Sequence, residues 1–167
     1  VIRCFEDDDI THVAGKIDPI SDIQTINTEL LLSDLAIVEK SLARLKKLAK
    51  TGNKEIMSEL KVMEEIEGEL NNGNFLQVIY KENKELLKQY NFLTAKPFFL
   101  ILNVADDEIN GNQFTENVAK YCDENDISHI IISANIEYDL SMMSDEEKKE
   151  YFELYNLAES GIDRVAK

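Results

Sequence analysis

The chain has 167 residues, of which 44% are hydrophobic and 31% charged, proportions that suit a protein with an ordinary buried core. Its longest apolar run, 97–104, is too short to cross a bilayer, so we expect no membrane partner. Thirty-three acidic and 18 basic residues give a net charge of -15, which disfavours general nucleic-acid binding unless the basic residues share one surface. Because the chain opens on Val1 without a leader, we expect it to be a piece of a longer protein.

The two cysteines, Cys4 and Cys122, lack the paired spacing of zinc sites and indicate buried, reduced thiols. Reduced thiols are typical of a cytoplasmic protein, which is the localisation we predict. The acidic run 7–9 with His12 suggests a metal site, but consecutive carboxylates are more often solvated. We therefore assign no metal ligands.

The first elements in chain order are a short strand and a long pair of helices. Residues 1–5 read as the end of a buried strand, followed by an acidic loop. Apolar residues then recur every three or four positions in 22–50 and again in 54–71, with a turn at 51–53. Two such stripes can pack against each other, so the sequence predicts an antiparallel helical hairpin. The stripe positions are Leu31, Leu35, Val38, Leu42, Leu45 and Ala49, facing Ile56, Leu60, Met63, Ile66 and Leu70.

The later elements predict an α/β unit. One or two short helices fill 75–90, and the apolar run 97–104 is typical of a parallel strand covered on both faces. A helix over 113–125 and a strand over 129–133 then complete a βαβ unit. An acidic helix follows over 144–157, with Ser144 and Glu147 forming a predicted capping box.

Polar residues follow each of the two predicted strands. Asn103, Val104 and Asp106 end the first strand, and Ser133, Ala134 and Asn135 end the second. Ligands of open α/β sheets bind beyond the carboxyl ends of strands, and P-loop GTPases hold a purine ring with such residues. There the Asn braces the loops, the acid accepts from the base edge, and backbone groups near Ser-Ala contact the exocyclic substituent. The alternative interpretation is a pair of turn-forming caps.

Five separated motifs, in order, resemble the YchF family of Obg-like ATPases. They are R-C-F-E-D-D-D-I-T-H-V over 3–13, Gly15-Lys16 with Asp18-Pro19, the stretch 22–30, L-T-A-K-P over 93–97 and G-I-D-R-V over 161–165. The resemblance runs over the whole chain, and several motifs in register are more specific than any one pattern.

The resemblance implies the second half of a P-loop (Rossmann-like) domain carrying a coiled-coil insertion. Its parts would be a strand and loop at 1–21, the helical hairpin at 22–92, and a βαβ segment with base-recognition loops at 93–167. It also implies a cytoplasmic, ribosome-binding ATPase, with the large subunit as partner, that prefers ATP over GTP. No G-x-x-x-x-G-K-[ST] loop occurs in the 167 residues, so Mg²⁺ and phosphate ligands are expected outside this chain and the chain alone is expected to be inactive.

Three positions bear on the nucleotide site that the resemblance implies, namely Val104, Asp106 and His12. The family usually has Glu where this chain has Asp106, the residue that chelates guanine in GTPases, and Val104 stands where those proteins carry Lys. We therefore predict ATP as the preferred nucleotide and GTP as the second candidate. His12 resembles a family histidine thought to orient the attacking water, a role that a neutral imidazole can fill, so His12 is the predicted catalytic residue.

The remaining candidate surface is the hairpin tip, where basic residues gather in an otherwise acidic chain. They are Lys40, Arg44, Lys46, Lys47, Lys50, Lys54 and Lys61. One interpretation is a solvated coiled-coil face, and the other is a contact with RNA. The hairpin also supports an alternative function, that of an interaction module binding a ribosomal or protein partner independently of nucleotide turnover.

Overall fold

A computed structural model describes residues 1–6, 17–154 and 159–165 of the chain. The chain divides into two compact units. We name Gln24–Pro97 the helical unit, and Val1–Ile23 together with Phe98–Lys167 the sheet unit.

The sheet unit is built on three parallel strands in the order β1-β2-β3. The strands are β1 (Ile2–Arg3), β2 (Leu100–Asn103) and β3 (His129–Ile132). Leu102 lies opposite Ile2 on one side and Ile131 on the other, and helix α5 (Gln113–Glu124) connects β2 to β3. This arrangement confirms the predicted βαβ unit and the α/β class, and it fits part of a P-loop NTPase domain.

Strand β2 is shorter than the run 97–104 predicted. Pairing with β3 starts at Leu100, whose N–H donates to the carbonyl of Ser128 at 2.9 Å. The residues before it have no strand partner within the described part of the chain, and Phe99 is 43% exposed. Apolar composition alone therefore overestimated the length of the strand, because a strand also needs a paired neighbour.

Within the described residues three helices follow β3, and two of them were not predicted. Helices α6 (Ala134–Met142) and α8 (Gly161–Val165) are the additions, and α7 (Asp145–Leu154) was predicted from 144 to 157. The capping box that opens α7 is present, since Ser144 N–H donates to Glu147 Oε2 at 2.7 Å and Glu147 N–H donates to Ser144 Oγ at 3.4 Å.

The core of the sheet unit consists of strand residues covered by helix α5. Its buried members are Ile2, Cys4, Ile23, Leu100, Leu102, Val104, Val118 and Cys122. Both cysteines are free and buried, which confirms the prediction of unpaired, buried thiols. Each thiol fills space in this core.

The helical unit contains the predicted hairpin. Helix α1 (Pro19–Leu48) ends in a 3-10 turn at Ala49–Thr51, and α2 (Lys54–Asn71) follows after Gly52, whose φ of 76° is accessible chiefly to glycine. Two short helices complete the unit, α3 (Gln77–Glu82) and α4 (Lys84–Leu87). Helix α1 begins before residue 22 because Pro19 suits a first helical position and Asp18 Oδ1 accepts from Ser21 N–H at 3.1 Å.

Both predicted stripes contribute to one buried cluster in the helical unit. Val38, Leu42 and Leu45 of α1 and Met63, Ile66 and Leu70 of α2 are 0–4% exposed. Leu76, Leu87 and Phe92 from the segment after α2 belong to the same cluster, and Leu31, Leu35, Ile56 and Leu60 pack against it. The periodicity of the sequence therefore predicted how α1 and α2 pack.

Candidate functional site at the carboxyl ends of the strands

The predicted site residues of the sheet unit meet at one edge of the sheet. Asn103 at the end of β2 lies opposite Ile132 at the end of β3 and opposite Arg3 of β1. The three strands are parallel, so the loops that follow them open in the same direction. A cleft of about 420 Å³ lies there, lined by Phe5, Glu6, Asn103, Val104, Ala105, Asp106, Asp107, Ala134 and Asn135.

Asn103 joins the loops that follow two different strands. Its side-chain Oδ1 accepts from the Ala134 N–H at 2.9 Å, and its backbone carbonyl accepts from the Cys4 N–H at 2.8 Å. The carbonyl of Cys4 is in turn held by Asn112 Nδ2 at 2.6 Å. These hydrogen bonds fix the ends of β1 and β2 and the start of α6 around the cleft.

Ser133 and Asp106 form the second link across the cleft edge. Ser133 is 1% exposed, and its hydroxyl donates to Asp106 Oδ1 while accepting from the Ile136 N–H at 3.4 Å. Asp106 is exposed and begins a 3-10 turn, Asp106–Glu108. In the part of the chain that the structure describes, no hydrogen bond occupies Asp106 Oδ2. One carboxylate oxygen therefore remains open toward a ligand.

The start of α6 has a similarly open donor. The N–H groups of Ala134, Ile136 and Glu137 donate to Asn103 Oδ1, Ser133 Oγ and the Ser133 carbonyl. Among the described residues none accepts from the N–H of Asn135, which borders the cleft. The polar groups at the edge of the cleft thus include an acceptor, Asp106 Oδ2, and a donor, Asn135 N–H, the two kinds of group that can pair with the edge of a heteroaromatic base.

Val104 has a different position from the other predicted residues. It borders the cleft but is only 3% exposed and belongs to the core of the sheet unit. Its N–H donates to the Ile132 carbonyl at 3.0 Å, which extends the pairing of β2 and β3 by one residue. Val104 therefore supports the floor of the cleft and offers no charge to a ligand.

Sequence reasoning missed Phe5 and Glu6 as residues of the cleft. They follow β1, so the rule that selected residues after β2 and β3 applies to them as well. The Phe5 ring lies under the Arg3 guanidinium, with 4.8 Å from Cζ to the ring centroid, and Arg3 Nε donates to the Phe5 carbonyl at 3.1 Å. An aromatic ring fixed in this way provides an apolar surface at the cleft.

Cys4 does not supply a nucleophile to this cleft. Burial, with smaller contributions from the charges of Asp22 and Glu108, raises the pKa of its thiol to about 12. A thiol with this pKa stays protonated at neutral pH, whereas the reactive form of cysteine is the thiolate. The role of Cys4 is therefore to fill space in the core of the sheet unit.

The predicted catalytic His12 and the acidic residues 7–9 lie outside the described residues. No cluster of His, Cys, Asp and Glu in 1–6, 17–154 or 159–165 has the geometry of a metal site. Within the same ranges no helix is both long and apolar enough to span a bilayer.

Comparison with known proteins shows similarity over the whole chain, although no family model matches it. The chain is 43% identical over 167 residues to the ribosome-binding ATPase YchF of Haemophilus influenzae, covering 99% of this chain and 46% of that protein. Against the protein of the same name from Bacillus subtilis it is 40% identical over 176 residues, covering 100% and 47%.

A solved structure agrees with these alignments. The YchF GTPase of Schizosaccharomyces pombe superimposes with a TM-score of 0.82 and 28% identity, covering 99% of this chain and 47% of that one. The chain spans about half the length of the relatives it matches. Together with the five motifs, these matches show that the chain is a homologous segment of the YchF family.

Proposed function

We propose that this chain supplies the base-recognition end of a purine-nucleotide site in a longer, translation-associated ATPase. The observation that carries the proposal is the pair of links across the cleft edge, Asn103 to Ala134 and Ser133 to Asp106. They join the loops after β2 and β3 and leave an acceptor and a donor facing the cleft. The relatives named ribosome-binding ATPase YchF support the same class of activity.

In this proposal Asp106 Oδ2 accepts from the edge of the base, and Asn135 N–H donates to it. Ser133 restrains the carboxylate by donating to Oδ1, so that little further ordering is needed when a base binds. Phe5, fixed by Arg3, offers the apolar contact on the same side of the cleft. Binding would therefore rest on a few directed polar groups and one aromatic surface, as in many small-ligand sites.

The proposed nucleotide is ATP, with GTP as the second candidate. The bacterial relatives are named ATPases and the Schizosaccharomyces pombe relative a GTPase, so similarity alone supports either nucleotide. A carboxylate accepts two hydrogen bonds from the N1 and N2 groups of guanine, whereas adenine offers a donor at N6 only. Asp106 thus favours some retention of GTP binding, and the absence of Lys at Val104 acts against a strong GTP site.

Phosphate and Mg²⁺ binding are proposed to come from the rest of the longer protein. No phosphate-binding G-x-x-x-x-G-K-[ST] loop occurs in the 167 residues, and phosphoryl transfer depends on such groups. His12 is proposed to orient the attacking water in the longer protein. We accordingly expect the 167-residue chain alone to hydrolyse neither ATP nor GTP. Turnover by the purified chain above that of its His12→Ala variant would contradict this expectation.

The base-recognition proposal can be tested in the longer protein with Asn103→Ala. This change removes the acceptor for the Ala134 N–H and uncouples the two loops, so nucleotide affinity measured by calorimetry should fall roughly tenfold or more. Asn117→Ala is the matched control, because Asn117 is an exposed amide on α5 that does not border the cleft. Equal affinities for both variants and the unchanged protein would contradict the proposal.

A second proposed function is that of an interaction module, with the ribosome, through its large subunit, as partner. The observation that favours it is that the helical unit has its own buried cluster. The exposed lysines at its tip are Lys46, Lys47, Lys50, Lys54 and Lys61. Arg44 Nη2 lies 3.7 Å from Glu59 Oε1, and Lys46 Nζ lies 3.9 Å from Glu64 Oε1. The exposed lysines are the proposed contacts with RNA, and a ribosome-bound protein would be cytoplasmic.

A further inference from the structure

We infer that Glu137 is a positioning residue for residues 133–135, the N-cap and first two residues of α6, which we call the base loop. This inference rests on the proposed base-recognition function. Glu137 lies in the first turn of α6, and its N–H donates to the Ser133 carbonyl at 3.1 Å. Its side chain extends away from the cleft and does not border it. It acts on the site through the helix that carries Ala134 and Asn135.

The carboxylate of Glu137 holds the start of α8. Oε1 accepts from the Gly161 N–H at 2.6 Å, and Oε2 accepts from the Ile162 N–H at 3.2 Å. The first N–H groups of a helix have no partner within that helix, and hydrogen bonds to a charged acceptor are stronger than those to a neutral one. One side chain therefore fixes α6 to α8 by two charge-assisted hydrogen bonds.

Gly161 shows that this contact is close-packed. Gly161 is buried, and a Cβ atom there would lie 2.7 Å from Glu137 Oε1 and 2.8 Å from Ile132 Cγ1. Ile132 is the last residue of β3, directly before Ser133. The start of α8 thus contacts the residue just before the base loop and the residue two positions after it. The loop is held from both sides by one bracket, Ile132–Gly161–Glu137.

The bracket explains how the base loop, which carries the open N–H group of Asn135, stays in place. Asn103 and Asp106 hold the loop from the cleft side, and Glu137 holds it from the opposite side. Binding sites keep their geometry when the residues that carry the contacts are themselves held by further hydrogen bonds. Displacement of α6 would move Asn135 N–H and release Ser133 from Asp106, although no residue proposed to contact the base is itself substituted.

The test uses Glu137→Gln in the longer protein, with binding of ATP, GTP and inorganic tripolyphosphate measured by calorimetry in the presence of Mg²⁺. The amide has nearly the same shape, but its NH₂ group would face a backbone N–H. We expect nucleoside triphosphate affinity to fall roughly tenfold and tripolyphosphate affinity to stay unchanged, because only the former uses the base loop. Gly161→Ala should give the same pattern from the α8 side and replaces the first variant if that one does not fold.

Asp163→Asn is the matched control. Asp163 Oδ2 accepts from Ser160 Oγ at 2.8 Å and belongs to the cap of α8, and among the described residues no hydrogen bond joins its side chain to α6. A structural role alone would lower the thermal stability of the Glu137 and Gly161 variants and leave the ratio of nucleotide to tripolyphosphate affinity unchanged. That result, obtained while Asn103→Ala does lower the ratio, would overturn the inference and keep the proposed function. An unchanged protein that binds tripolyphosphate as tightly as nucleotide would overturn the proposed function itself.

Discussion

The helical unit and the sheet unit each contain an aspartate whose carboxylate accepts hydrogen bonds from residues distant in the sequence. These aspartates, Asp34 and Asp106, differ in the number of hydrogen bonds that they accept and in their exposure. Asp34 in the helical unit is 0% exposed and accepts three hydrogen bonds. Asp106 in the sheet unit is exposed and accepts one from Ser133 among the described residues. The comparison separates a carboxylate used for folding from one left available for a ligand.

The Asp34 contact closes the helical unit near its end. Oδ1 accepts from the Leu93 N–H, and Oδ2 accepts from the N–H and the hydroxyl of Thr94, all at 2.8 Å. These residues lie 59 and 60 positions along the chain from Asp34. A buried charge persists only where its hydrogen bonds are satisfied, and here neutral donors satisfy both oxygens. Because Asp34 is also 0% exposed, it is not accessible to a ligand.

The largest expected effect comes from Asp34→Ala. Removing the carboxylate leaves the two buried donors of Thr94 and the part-buried Leu93 N–H without partners. At roughly 1–3 kcal/mol for each buried donor, we expect a loss of about 4 kcal/mol in the free energy of local unfolding. Native-state hydrogen exchange of amides in α1 and α2 measures this loss for the helical unit alone.

Thr28→Ala is the control for Asp34→Ala. Thr28 is an exposed residue of the same helix whose hydroxyl donates to the Gln24 carbonyl at 2.8 Å, so its removal should cost less than about 0.5 kcal/mol. A loss at Asp34 no larger than that at Thr28 would show that the buried contact does not hold the unit together, and the comparison with Asp106 would lose its basis.

Asp106→Glu should change binding where Asp34→Ala changes stability. In the longer protein, the added methylene would move the carboxylate away from the guanine edge, so GTP affinity should fall by about 1.5 to 3 kcal/mol while ATP affinity stays nearly unchanged. Isothermal calorimetry with both nucleotides provides the measurement, and thermal unfolding should change little because Asp106 is exposed. Equal losses for the two nucleotides would count against an aspartate that distinguishes the bases.

The two units also differ in how much the sequence alone reveals. Helices α1 and α2 could be predicted because their apolar stripes repeat locally, and most stripe residues contribute to the predicted packing. The contact of Asp34 with Thr94 could not be predicted, since no local pattern links residues sixty positions apart. Periodicity therefore identified the helices of the hairpin but not the polar contact near the end of the unit.

In the sheet unit, the ends of β2 and β3 could be predicted and the bracket behind them could not. Asn103, Asp106, Ser133 and Ala134 were selected from strand ends, and the structure brings them together. Helix α6 was missed because it is short and follows β3 directly, so Ser133 was considered only as a site residue. Helix α8 was missed because its five residues are too few to show a helical repeat. Ser133 is also the N-cap of α6, a role that its residue type and position indicate.

Reversing the charge of Lys46, Lys47, Lys50 and Lys54 to Glu tests whether the tip of the helical unit binds a polyanion. Four solvated contacts at roughly 0.3 to 0.5 kcal/mol each should reduce ribosome co-sedimentation about tenfold, more at low salt than at high salt. Nucleotide affinity should stay unchanged, because none of these residues borders the cleft.

The control for the tip reverses the same number of charges elsewhere in the helical unit, at Lys81, Lys84, Lys88 and Lys96, which are all exposed. Both variants have the same net charge, so a difference between them reports position. If co-sedimentation falls equally for the two variants, general electrostatic attraction explains ribosome binding, and the tip is not a specific contact site. If the tip variant binds ribosomes normally, the interaction-module proposal is wrong.

The smallest expected effect concerns a third carboxylate, Glu147, which completes the comparison because it is held by hydrogen bonds at the surface. The Ser144 N–H, and to a smaller extent the Ser144 hydroxyl, lower the pKa of Glu147 below its ordinary value. A lowered pKa means that this contact stabilises α7 above the ordinary pKa of a glutamate, and that the contribution is lost as the pH falls through the lowered pKa.

Ser144→Ala removes the hydroxyl and keeps the N–H, so the pKa of Glu147 should rise only part of the way. A carbon-13 NMR titration of the Glu147 carboxyl measures the change, with Ser141→Ala as the control, since the Ser141 hydroxyl donates to the Tyr138 carbonyl instead. If the pKa of Glu147 stays where it is in Ser144→Ala, the backbone N–H alone holds the carboxylate and the hydroxyl contributes nothing to the cap.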